Sequence, residues 1–486
     1  MYHDFLETAK VLAHLAETFS LAPLDTQLQP LIDDVLTEQG KTAYRKGTIL
    51  IPRFLIWLVL VLTLRRDLNY DKALNWMLSG FRWMADLLPA QSKLVSDGAI
   101  SHARSKLGAE VFRALFVKQV GSFGTQLADF HEYTSVAFDG STGTMPDTAE
   151  NQVAFGKPSA RKDAAAFPQV RLMALLAVGQ RRLLELAWAA YRGKGTGERA
   201  LMLEIVERIT CEGLLFLLDA GLFSFDLLTL FQRKQGRFIV KAPQNIKPKM
   251  IQRLPDGSWL AEIQSKVVDP AVPPTPSGRN HWKTATLAVR VIHIVIPGFR
   301  PFWLMTNLLD PSITAREIAL HYHKRWDIEI AYDEIKTHQC ATLRGQSPTT
   351  FRSKLPELVK QELFALAISY NAVRTIISQA AEQHSQDPRS ISFLETFQHI
   401  QDVAPILTAT ICSEQRGSKR NYLFELIASC LIDRPRRPRL NPRVVKVKMS
   451  KFARKNADHK SQVRDIVQDL KIIEISPTNL SAAQTA

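Results

Sequence analysis

The stretch Tyr322-His-Lys-Arg325-Trp-Asp-Ile-Glu329-Ile-Ala-Tyr-Asp-Glu-Ile-Lys336 decides how the rest of the chain is read. Upstream, Thr314 is followed three residues later by Glu317. This is a capping-box pattern, in which each side chain accepts a backbone N–H that the first helical turn leaves free. Neither proline nor glycine intervenes before Lys336, so the spacing predicts one helix of about six turns. At roughly 100° per residue, Tyr322, Arg325, Glu329 and Lys336 fall within an arc of about 60°. Leu320, Ile328, Ala331 and Ile335 gather on the far side, with Lys324 interrupting that apolar stripe. A row of one acid, two cations and a phenol is also what a solvated, salt-bridged helix face presents. The residues upstream separate the two readings.

At Tyr133 the pattern changes from helix to strand. Val136-Ala-Phe138 leads into Asp139-Gly-Ser-Thr, and apolar segments follow at Val170 to Val178 and Leu183 to Tyr191. Glu198 to Ile209 has helical spacing, and the wholly apolar Leu214-Leu-Phe-Leu-Leu218 ends at Asp219. Such a run suits a central strand buried on both faces, and the order of elements predicts an α/β layer architecture. Asp139 and Asp219 at strand ends, with Glu329 on a helix crossing the sheet, could meet at one point, although spacing alone does not show that they do. Phosphodiester cleavage or transfer uses an in-line nucleophile and a stabilised leaving oxygen, which two divalent ions held by carboxylates supply. An aspartate after a strand is also an ordinary turn residue. Asp333 competes with Glu329 from one turn further on, whereas Asp327 and Glu334 point elsewhere on an ideal wheel.

The ungapped spacing Y-(2)-R-(3)-E-(6)-K resembles the signature of DDE transposases of bacterial insertion sequences, the insertion-element-four-like family. Arg45 to Arg66 and Ala99-Ile-Ser-His-Ala-Arg-Ser-Lys-Leu-Gly108 are similar to that family's N-terminal domain. The resemblance implies a ribonuclease-H-like catalytic core interrupted by a β-rich insertion, an α-helical N-terminal DNA-binding domain and a helical C-terminal region. It selects Asp139, Asp219 and Glu329 as catalytic and metal-holding residues for two Mg²⁺ ions, with Mn²⁺ a possible substitute. Arg325 and Lys336 would approach the phosphates flanking the cut, Tyr322 would hydrogen-bond a phosphate, and Trp326 would pack against a displaced base. The implied partner is double-stranded DNA, both the inverted ends of the element and the target, bound by a homodimer in a synaptic complex. The implied reaction is cut-and-paste transposition, with a hairpin at the element end. Two rivals share these residues: a transposase-derived DNA-binding protein without catalysis, and a nuclease of the same fold without strand transfer.

The expected organisation is a helical N-terminal domain at 1–130, core segments at 131–236 and 311–350, a β-rich insertion at 237–310 and a helical region with a basic tail at 351–486. Within the first, two short helices across a turn allow a helix-turn-helix reading, with His102, Arg104 and Lys106 on the second. In the insertion, Trp259, Trp282 and Trp303 could stack on unpaired bases, although such residues more often fill a core. Arg192-Gly-Lys-Gly-Thr-Gly197 lacks the order of a nucleotide-binding loop and reads as a turn, with Lys194 a possible DNA contact. His321, His323 and His338 read as exposed helix residues, and the four cysteines as buried, reduced thiols.

A net charge of +15 on 486 residues suggests a polyanionic partner. The most hydrophobic stretch, Phe54 to Leu64, is too short for a membrane span and predicts a buried helix. With no secretory signal at the start, the expected location is the cytoplasm, in association with the nucleoid. Between Arg434 and Lys455 stand ten Lys or Arg residues and no acid. Truncation before Arg434 should therefore weaken DNA binding and flatten its salt dependence, because fewer counterions are released. An unchanged salt slope in a binding titration would show that the segment does not touch phosphate.

Overall fold

The computed structural model describes residues 2–85, 95–123, 128–158, 167–268, 272, 281–342, 345–346, 349–410, 412–432, 439–440 and 464–474. Most of the basic tail, the segment beyond Asn479 and the linker at 86–94 needed for the helix-turn-helix reading lie outside these residues. The chain forms two compact units, each assembled from separated stretches. One comprises Met1–Gln126, Asp139–Leu201 and Ile328–Asp433, the other Leu127–Phe138, Met202–Asp327 and Arg434–Ala486. The sequential domains expected from the sequence are therefore interleaved.

The first unit opens with helices α1 (Tyr2–Thr18), α2 (Asp25–Glu38), α3 (Pro52–Leu64), α4 (Tyr70–Ala85), α5 (Asp97–Leu107) and α6 (Glu110–Gly121). In α3, Pro52 starts the first turn and every residue from Phe54 to Leu64 is buried, as a helix apolar on all sides requires. Among the described residues no helix is long and apolar enough to cross a membrane. Ser96 caps α5 by accepting from the Ala99 N–H at 3.2 Å. The short α7 (Ala149–Phe155) precedes strands β2 (Gln169–Ala177) and β3 (Arg182–Ala190), an antiparallel pair running from Val170↔Ala190 to Ala177↔Arg182.

In the second unit, strand β1 (Thr134–Thr144) begins, continuing into the first unit from Asp139. Helix α8 (Glu198–Arg208) leads to β4 (Leu214–Leu218). Strand β1 pairs parallel with β4 in the register Thr134↔Leu214 to Ala137↔Leu217. After α9 (Phe225–Arg233), β5 (Arg237–Lys241) pairs parallel with β4. The buried Phe216 ring stacks on Phe231 of α9 at 4.1 Å. Strands β6 (Lys249–Arg253), β7 (Trp259–Val268), β8 (Trp282–Val295) and β9 (Phe302–Thr306) continue from β5 in the antiparallel order β5-β9-β8-β7-β6. The β-rich segment thus extends the sheet, with β9 pairing to the edge of β5 and satisfying its backbone N–H and C=O groups. The fold is a mixed α/β sheet structure with helical N- and C-terminal regions.

After the helical run that carries Glu329 come α12 (Pro356–Gln383), α13 (Phe393–Ala409) and α14 (Ser413–Ser429) of the first unit. The 28-residue α12 is the centre of that unit. Its polar side chains are nearly all matched: Asn371 accepts from Leu183 N–H and donates to Leu183 O in β3 at 2.8 and 2.9 Å. Ser369 pairs with Thr63 of α3 at 2.7 Å. Gln361 donates to Arg104 O at 2.7 Å and accepts from the Arg104 guanidinium at 3.1 Å.

Arg104 therefore corrects its expected role. At 1% exposure, with further bonds to the Tyr70 hydroxyl (2.7 Å) and Leu358 O (3.4 Å), its guanidinium ties α5 to α12 and cannot reach a phosphate. Lys106, on the same helix, is exposed. Arg104→Ala should lower stability by about 2–3 kcal/mol in denaturant unfolding by stranding Gln361 and Tyr70, whereas Lys106→Ala should change it by less than about 0.5 kcal/mol. An Arg104→Ala variant as stable as wild type but weaker for element-end DNA would restore the DNA-contact reading.

Candidate active site

The capping box closes as its spacing requires: Glu317 accepts from Thr314 N–H at 2.8 Å, and Thr314 Oγ1 accepts from Glu317 N–H at 3.3 Å. Helix α10 (Ala315–Tyr322) follows. The chain then tightens into a 3₁₀ turn (His323–Trp326), resumes as α11 (Asp327–Asp333) and widens into a π-helical turn (Glu334–Gln339). The wide turn is marked by the bond from Cys340 N–H to Ile335 O at 2.9 Å, five residues back. One helical run is present, but its pitch changes three times, from α to 3₁₀, back to α and then to π. The arc drawn for Tyr322, Arg325, Glu329 and Lys336 at a constant 100° per residue therefore does not hold.

Within the first unit, Asp139 is half-buried, with Oδ1 accepting from Gly140 N–H at 2.9 Å. Tyr332 donates its hydroxyl to Asp139 O at 2.9 Å. Burial, followed by the nearby Asp139 charge, pushes this phenol far above its usual range, so it remains a donor. Lys336 donates to Ser141 Oγ. Burial lowers the pKa of its ammonium, while Cys340 and Asp139 oppose that shift. Glu329 is exposed. Its competitor Asp333 is engaged along its own helix by Thr337 Oγ1 at 2.6 Å, and Asp327 and Glu334 are buried.

Glu198 is a further acid here that the sequence reading passed over. A Cβ built on Gly140 would lie 2.5 Å from its Cδ, so the end of this side chain rests on the residue after Asp139. Nothing in the local pattern separates Glu198 from any first-turn helix acid. Ser141 and Tyr332 were passed over for a similar reason, since their roles arise only from tertiary pairing.

Within the second unit, Asp219 Oδ1 accepts from Ala220 N–H at 2.8 Å. Tyr322 donates to Leu218 O at 2.9 Å, so its hydroxyl holds the strand preceding Asp219, whereas a phosphate contact was expected. Arg325 is buried, with its guanidinium 5.0 Å from the ring centre of Trp326, which is partly exposed. Trp259 is buried and makes an edge contact with Trp303 at 5.8 Å, which removes it from base stacking. Trp282 is 60% exposed. Lys194 is exposed in its turn.

The histidine and cysteine expectations need correction. His321 is buried against Phe130 and bonded to Ser135 Oγ at 2.5 Å, while His323 and His338 are half-buried. Cys211, Cys340 and Cys430 are buried, but Cys412 is exposed because it precedes the solvent-facing first turn of α14. Among the described residues, no group of three or more His, Cys, Asp or Glu side chains is gathered as a metal site would require. The acids nonetheless have the hard-oxygen chemistry that suits Mg²⁺.

Residues 131–372 match the model of the transposase DDE domain, and residues 19–117 match that of the insertion element 4 transposase N-terminal region. The chain belongs to the insertion element 4 family of DDE transposases, enzymes of DNA transposition. It is 26% identical over 457 residues to the transposase InsG for insertion sequence element IS4 of Escherichia coli (strain K12), spanning 91% of this chain and 95% of that protein. It is also 30% identical over 169 residues to the putative transposase InsZ of the same organism, covering 34% of this chain and 55% of that protein. A cryo-EM structure of a piggyBac transposase synaptic complex with hairpin DNA aligns over 87% of this chain and 85% of that one, at 10% identity and a TM-score of 0.40. That last likeness is too low to carry an argument.

His323 offers a test of the helix environment. Burial, then the neighbouring Arg325 charge, lowers its pKa from 6.5 to about 4. Because the folded value is depressed, the associated stability is present above pH 6.5 and is lost as pH falls through about 4. Replacing His323 with Phe should therefore flatten the pH dependence of the melting temperature across that window. An unaltered dependence would show that His323 is solvated.

Proposed function

We propose that this transposase carries out cut-and-paste transposition, cleaving DNA at the inverted ends of its element and joining the freed 3′ hydroxyls to target DNA. Asp139, Asp219 and Glu329 are the residues assigned to the reaction, within a ribonuclease-H-like core. The observation that carries this reading is the parallel β1–β4 pairing, since Asp139 and Asp219 each follow by two residues the paired Ala137 and Leu217. The family signature adds Glu329, and Asp333 is already engaged by Thr337.

The carboxylates would hold Mg²⁺, or Mn²⁺ in its place, and two bound ions would activate the nucleophile and stabilise the leaving oxygen. The chain's own part is positioning. Tyr332 and Tyr322 fix backbone carbonyls at Asp139 and Leu218. Lys336, held by Ser141, offers a charge to a phosphate beside the cut. Arg325 supports Trp326, whose exposed face suits a displaced base. Lys106, Lys194 and the basic tail are assigned to phosphate contact. The reading includes two copies of the chain in the synaptic complex.

Glu329→Gln keeps the shape of the side chain and removes one charge. Mg²⁺-dependent cleavage of element-end DNA should fall at least about a hundredfold while binding persists. Asp333→Asn should cut normally. If Glu329→Gln cuts as well as wild type and Asp333→Asn is inactive, the catalytic acid lies one turn further on.

A further inference from the structure

Glu334, the residue between Glu329 and Lys336 that sequence reasoning set aside, is a heavily bonded acid of the helical run. It is 6% exposed, yet three groups from two other elements converge on it. Arg374 of α12 donates from Nε to Oε2 at 3.0 Å and from Nη2 to Oε1. Tyr370 of α12 donates its hydroxyl to Oε2 at 2.9 Å. Arg181, from the turn between β2 and β3, reaches Oε1 at 3.5 Å and holds a left-handed backbone φ of 52°. Arg374 is itself 1% exposed and lies 5.4 Å from the ring centre of Phe393 in α13.

A buried ionic cluster of this kind is weak evidence for stability, because desolvation offsets much of the attraction and apolar replacements are often tolerated. Its better-attested use is to fix register. Glu334 is the first residue of the π-helical turn, and Gln339 at the other end donates to Leu366 O of α12 at 3.2 Å. The wide turn is thus bonded to α12 at both ends. Tyr332 and Lys336 meanwhile bond the same segment to Asp139 and Ser141 of β1.

We propose that Glu334 is a positioning residue. Through Arg374, Tyr370 and Arg181 it holds the π-helical turn Glu334–Gln339, and the α-helical residues 328–333 that lead into it, in register, and so sets where Glu329 and Lys336 stand. The inference rests on the functional reading above for its catalytic consequence, but its structural claim can be read without activity. Loosening the register should misplace Glu329 and Lys336 and slow the chemical step, without removing any group that touches DNA.

The test uses the full chain carrying Glu334→Leu, Tyr370→Phe and Arg374→Met together, an apolar replacement of similar volume. Glu334→Gln is measured alongside in case the triple variant does not fold. Amide hydrogen exchange in 328–339 should accelerate by about tenfold or more while β2 and β3 keep their protection. Single-turnover cleavage of element-end DNA should fall about a hundredfold with unchanged affinity for that DNA. A folded variant with wild-type exchange in 328–339 overturns the lock, as does one with faster exchange but wild-type cleavage. Wild-type protein that does not cut end DNA would count against the functional reading alone, and the exchange result would still decide the lock.

Discussion

The hydroxyl of Tyr332, bonded to the backbone oxygen of Asp139, is the constraint on which the placing of the helical run against β1 depends. A helix lying on a strand can slide or rotate unless polar bonds fix its phase, because apolar contacts are non-directional. Tyr332 fixes one point, Lys336 on Ser141 fixes a second, and Glu334 on α12 fixes a third. In the second unit Tyr322 on Leu218 O has the corresponding role at β4. The exposed Glu329 is thus carried on a backbone held from several directions.

Helix α12 explains how so many polar groups are buried without large cost. Gln361, Ser369, Tyr370, Asn371 and Arg374 bond in turn to α5, α3, the π-helical turn, β3 and the π-helical turn again. Buried polar groups are tolerated when satisfied, and such networks specify one packing where an apolar surface would allow several. The N-terminal helices and the segment bearing Glu329 are packed against this same helix, which is why they share one compact unit despite their separation in sequence. The β-strands of 237–306 follow an analogous logic in the second unit, since each satisfies the backbone groups on the edge of the strand before it in the order β5-β9-β8-β7-β6.

What was legible in the sequence was what repeats or caps locally. Thr314 and Glu317 marked a helix start that closes with the expected bonds, and Leu214 to Leu218 read correctly as a buried strand. The Y-R-E-K spacing and the N-terminal pattern placed the family. Long-range polar pairing was not legible. A cationic side chain on a short helix reads the same whether it faces DNA or, like Arg104, a glutamine 257 residues away. His321 looked exposed because its partner Ser135 lies on a strand far upstream. The helical wheel failed because the run contains a 3₁₀ turn at His323–Trp326 and a π-helical turn at Glu334–Gln339, which a constant pitch cannot anticipate. Glu198 carries no local mark at all.

Asp139, Asp219 and Glu329 are proposed to act as one site on DNA. The most direct measurement is a structure of the full chain bound to its element-end DNA with Ca²⁺, which occupies hard-oxygen sites while chemistry is arrested. The three carboxyl groups should then lie within about 4–8 Å of one another beside the scissile phosphate, as two-metal geometry requires. Separation by more than about 15 Å in that complex, or a different acid in place of Glu329 at the phosphate, would contradict it.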